Sequence, residues 1–66
     1  MRYYDIKQLQ HKRVEVSNNA QAVEAIDKAI DEASEALAFN RACDVVIDDW
    51  QITINYATYK SVYWLF

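Results

Sequence analysis

The sequence contains no glycine and no proline. Without glycine, every phosphate-cradling loop that depends on it is excluded, because the phosphate approaches a backbone free of Cβ. Turns are left to Asn and Asp, which also tolerate a left-handed backbone. The chain supplies them at Asn18-Asn19, Asn40, Asp48-Asp49 and Asn55, and these clusters punctuate it into segments. With one cysteine, Cys43, no internal disulfide can form, and no Cys/His group has metal-ligand spacing. A lone cysteine fits a reducing compartment. No stretch approaches the ~18 apolar residues of a membrane span. The first residues, MRYYDIKQLQHKR, hold no apolar run of signal-peptide length. Together these absences predict a cytoplasmic protein with no cofactor and no membrane contact.

What is present is apolar. The 66 residues are 53% hydrophobic and 14% aromatic, enough to give a domain with no staple a dense core. Residues 1–66 are expected to form a single compact domain. In the middle, Val23, Ile26, Ile30, Ala33 and Leu37 recur at three- and four-residue spacings, with Ala22, Ala29 and Ala36 flanking them. That periodicity predicts a helix over about residues 19–42. Ser17, Asn18 or Asn19 can cap its start, and Arg41 suits its carboxyl end.

Beyond it, VVIDDWQITINY and TYKSVYWLF alternate as strands do. A hairpin looped at Tyr56, Ala57 and Thr58 sets Ile52 opposite Val62 and Trp50 opposite Trp64. One face is then apolar and the other polar with tyrosine. This register makes Val62, Trp64 and Phe66 core residues and turns Tyr59, Tyr63 and Leu65 outward. RYYDI and RVEVS also read as short strands, joined by KQLQHK; the alternative is a short helical turn there. The predicted class is α+β, a small antiparallel sheet in the order strand-strand-helix-strand-strand with one amphipathic helix packed on one face.

Few residues suggest chemistry. His11 lies in a polar stretch with no marked partner and reads as solvated. Cys43 reads as a small buried apolar residue, since no activating group is evident beside it. Asp48 and Asp49 fit a turn or bulge better than a cation site, which needs further oxygen ligands at defined spacing. No catalytic residue and no metal ligand is assigned, and the chain is not expected to be an enzyme.

Charge is more informative. Residues 1–17 carry a net +2, residues 18–49 a net −6 and the remainder +1. An acidic chain, with pI near 4.8, lacks the clustered cations that phosphate neutralisation requires, so direct nucleic-acid binding is not expected. On the helix, Glu24, Asp27, Asp31 and Glu35 line the face opposite the apolar stripe. They suit a basic partner, including one whose usual ligand is nucleic acid. Tyr59 and Tyr63 add aromatic anchors on the sheet. These six residues are the candidate partner-binding set. The functional expectation is a small non-catalytic protein-binding module, an inhibitor or adaptor of the size and composition seen in viral and phage factors that block a host enzyme. The alternatives are a self-associating module that dimerises through its carboxyl-terminal hairpin, and a small enzyme or metal protein centred on His11, Cys43 and the aspartates.

Overall fold

The computed structural model of the chain describes residues 2–66, with side chains throughout except those of Ala42 and Cys43. The expected burial of Cys43 therefore falls outside the described side chains. Helix α1 spans Tyr3–Glu15 and helix α2 Ala20–Ala38; strands β1, β2 and β3 span Ala42–Ile47, Gln51–Tyr56 and Lys60–Trp64. The class is α+β, as expected. The element order is different: two helices precede three strands.

The amino-terminal strand pair expected from RYYDI and RVEVS is instead α1. Ile6, Leu9 and Val16 are all buried, and their spacing places them on one side of a helix. Asp5 Oδ2 accepts from the Arg2 N–H at 2.9 Å, an acidic side chain satisfying a donor at the helix start.

At the start of α2, Asn19 is the cap, its side chain accepting from the Ala22 N–H at 3.1 Å. The helix stops at Ala38, short of the expected end near residue 42, at the turn residue Asn40. Asn40 takes φ 55°. The Arg41 N–H reaches the Ala36 carbonyl at 2.8 Å and the Asn40 N–H reaches that of Leu37 at 3.2 Å, the paired bonds of a Schellman ending. Phe39, at the C-cap, is exposed. The buried stripe is rotated from the expected one. Ala22, Ile26, Ala29, Ala33 and Ala36 are innermost, while Val23, Ile30 and Leu37 are only partly buried. Alanine at the contact lets the helix axis approach its neighbours closely, and the larger side chains fill the flanks.

The sheet is antiparallel in the order β1-β2-β3. Asp48 and Asp49 do mark a turn, closed by the Asp48 N–H on the Gln51 carbonyl at 2.9 Å. It splits VVIDDWQITINY into two strands. The second hairpin corrects the expected register by one residue: Ile52 pairs with Tyr63 and Thr53 with Val62, and the Tyr56 N–H bonds the Tyr59 carbonyl across Ala57-Thr58. Because side chains alternate, this slip flips β3 as a whole. Leu65 is 1% exposed, whereas Trp64 and Phe66, the expected core residues, are 62% and 68% exposed.

Residues directly opposite across strands share a face. Val45, Ile54 and Ser61 form one inner row, and Ile47, Ile52 and Tyr63 the next. Both helices lie over this face, α1 against β1 and α2 against all three strands. The core is Ile6, Leu9, Val16, the α2 alanines with Ile26, and Ile52, Ile54 and Leu65.

Candidate binding seam between α2 and β3

One flank of α2 faces β3, and a half-buried carboxylate joins them. Glu32 sits beside the apolar stripe, directed at the sheet. Tyr56 of β2 donates its hydroxyl to Glu32 Oε2 at 2.6 Å, and Tyr63 of β3 donates to Oε1. Tyr56 and Tyr63 are both on the inner face, since each lies an even number of residues from Ile52 or opposite it. The slipped register is what brings the Tyr63 hydroxyl here. Burial alone would raise the Glu32 carboxyl, but hydroxyls of Tyr56, Tyr63 and Ser61 together hold it below its ordinary 4.5. Burial, and then the adjacent carboxylate, push Tyr63 up to about 12 and raise Tyr56 also.

Two hollows lie along the seam. One, about 220 Å³, is lined by Glu32, Glu35, Ala36, Arg41, Tyr56, Tyr59 and Ser61. Its aromatic wall is the Tyr56–Tyr59 pair, stacked with ring centroids 4.5 Å apart and 16° between planes. The other, about 300 Å³, lies between Glu24 and Lys28 of α2 and Val62, Tyr63 and Trp64 of β3.

The six candidate residues divide between this seam and the outer side of α2. Glu35 and Tyr59 line the first hollow, and Glu24 and Tyr63 line the second. Asp27 is turned toward α1, where its carboxylate accepts from Arg13 at 2.7 and 3.4 Å. That contact lowers the Asp27 carboxyl, chiefly through the hydrogen bond. Asp31 is exposed on α2. Glu24 lies 3.5 Å from Lys28, and Glu35 is 4.0 Å from Arg41, whose guanidinium stands 5.0 Å from the Phe39 ring. The expected acidic row is therefore partly neutralised by the chain itself.

Glu32, Tyr56 and Ser61 were not among the candidates. Glu32 could have been singled out as the one acid at the edge of the apolar stripe, a position that obliges a buried carboxylate to find donors. His11 lies on α1 and is exposed, so its place is a helix surface and not a connecting loop. Among the described residues, no three His, Cys, Asp or Glu side chains gather as metal ligands, and no helix is long and apolar enough to cross a membrane.

Comparison of the chain with protein-family models, with curated proteins and with solved structures gives no match.

Proposed function

We propose that this chain is a small non-catalytic protein-binding module of the cytoplasm, an inhibitor or adaptor. It receives a basic segment of another protein along the α2–β3 seam. The observation that carries this reading is the gathering of Glu24, Glu35, Tyr59 and Tyr63 along one seam, beside the ionised Glu32. Carboxylates next to tyrosine faces suit Lys or Arg, through charge and through the ring quadrupole. β3 is also an edge strand. Its unpaired backbone groups can accept an extended segment as a further strand, with alternate side chains reaching the hollows.

The test requires the partner recovered by affinity capture from the native host. Its binding is then titrated against the triple variant Glu24→Lys/Glu35→Lys/Tyr59→Ala, whose three positions all line the seam. Asp27 is left intact, since reversing it would break the contact with Arg13. Affinity should fall at least tenfold, mostly through slower association, and wild-type binding should weaken with added salt. A partner held as tightly by the triple variant at low salt as by wild type refutes the seam.

A further inference from the structure

Among the described residues, no helix or strand is packed over the opposite face of the sheet. Val46, Thr53 and Val62 form a row across all three strands there. Gln51 pairs with Trp64 at one end, and Asp44, Asn55 and Lys60 align at the other. Thr53 is only 8% exposed although nothing is layered above it, because Val46 and Val62 flank it. The face thus has an apolar middle, with Val46 42% and Trp64 62% exposed. Charges of opposite sign stand at its two edges, Asp44 on β1 and Lys60 on β3.

That arrangement is self-complementary. Consider a second copy laid face to face, related by a two-fold axis parallel to β2. The operation carries β1 of one copy over β3 of the other while keeping each row at its own height. Asp44 then meets Lys60 of the second copy, Lys60 meets its Asp44, and each Val46 meets Val62. Two charge pairs close at the rim and the apolar row is dried between them. A two-fold axis across the strands would instead lay the charged row over Gln51 and Trp64. The geometry points to a homodimer built on the open sheet face, with Asp44 and Lys60 as its reciprocal charge contacts. Aligned sheets pack about 10 Å apart with strands within about 30° of parallel, and this pairing is compatible with both.

The face is small. Three strands about 4.8 Å apart and about 3.3 Å of rise per residue give a patch of roughly 15 by 20 Å. That is well below the ~800 Å² per partner of a standard interface, so the dimer belongs to the weak, transient class. It leaves Glu35 and Tyr59 free but shares Val62 and Trp64 with the second hollow, so the test variants are placed at Asp44, Lys60 and Val46, which line neither hollow of the seam.

Sedimentation equilibrium of the full chain decides it. Wild type should move from the 7.7 kDa monomer mass toward twice that mass as concentration rises through about 1–500 μM. Tryptophan emission of a Trp50→Phe variant, which leaves Trp64 as the sole indole, should shift to the blue over the same range. Asp44→Lys alone and Lys60→Asp alone should each raise the dissociation constant at least tenfold. Mixed one to one, these two variants should recover dimers, because each supplies the charge the other lacks, and the double variant in one chain should also recover them. Val46→Lys, on an edge strand that tolerates lysine, should be monomeric while keeping a cooperative melt. A wild type that stays monomeric up to about 500 μM overturns the proposal. So does a dimer that survives the single variants, or a charge-swapped mixture that remains as weak as its components.

Discussion

Substituting Glu32 by Gln removes the charge that fastens the helical layer to the sheet while keeping the side chain's shape. Two tyrosines from two strands donate to this one carboxylate. A hydrogen bond to a charged acceptor contributes about 1.5–3 kcal/mol where water is excluded. Here the group is half-buried, and in the variant the hydroxyls can still bond the amide oxygen or water. The expected loss is therefore about 2 kcal/mol, below the ~3 kcal/mol that two such bonds would contribute at their weakest. For a domain this small, each kcal/mol moves the melting temperature by about 4–8 °C, so the drop should be about 8–16 °C. The pH dependence carries the sign. Glu32 is held below its ordinary 4.5, so its contribution is complete above that value and is lost as pH falls from there through the lowered folded value. Tyr63 is held near 12 against an ordinary 10.0, so its contribution is intact below 10.0 and is lost as pH rises from there toward 12. Thermal melts followed by circular dichroism from about pH 3 to about pH 11 should show wild type weakening at both ends. E32Q should show a shallower acid limb. If E32Q melts within about 1 °C of wild type with the same acid limb, the clamp is not what joins the layers.

The core assignment makes a sharp contrast at the carboxyl end: Leu65→Ala should cost about 2–5 kcal/mol and abolish the cooperative melt near body temperature, whereas removing Phe66 should change stability by less than about 0.5 kcal/mol. Chemical denaturation of the two variants side by side checks this. Asn40→Val forces a β-branched residue into the left-handed region and should cost about 1–2 kcal/mol, while Asn40→Gly should be neutral or slightly stabilising, as urea midpoints would show. Asp27→Asn should lower the melting temperature a little at low ionic strength and not at high, since its partner Arg13 and it are both exposed to solvent and salt screens such pairs.

Helix α2 was legible because its apolar and alanine positions repeat every three or four residues over five turns, and its amino cap is written in Asn19; its stop before Asn40 fell inside the expected range of about 19–42. Helix α1 was not, although its signal exists. Its buried side is only Ile6, Leu9 and Val16. Tyr3 and Tyr4, which favour strands in isolation, lie exposed at its start, and Val14 is exposed near its end. Strand propensity over RYYDI and RVEVS is a local preference, and packing against α2 and β1 overrides it. The acidic row was legible as a surface but not as a set of partners. The basic excess of the first seventeen residues is folded back on it through Arg13, a contact that joins residues fourteen positions apart.

The register of β3 shows what alternation alone decides and what it leaves open. Alternation correctly put Ile52 and Ile54 inside, but TYKSVYWLF alternates two apolar sets, Val62-Trp64-Phe66 and Tyr63-Leu65, and hydrophobicity favours the first. Three physical terms favour the second. The inner side of α2 is built mainly of alanines, and Leu65 is buried with them in one core cluster. A buried Trp64 would also need a partner for its N–H, whereas Tyr63 and Ser61, turned inward, find Glu32 waiting on α2. Finally, the shorter Ala57-Thr58 loop closes with no residue at positive φ, Asn40 being the only such position among the described residues, so a chain without glycine can make it. The polar handle of tyrosine thus settles which hydrophobic set goes in. The greasier set is left on the open face, beside the exposed Val46.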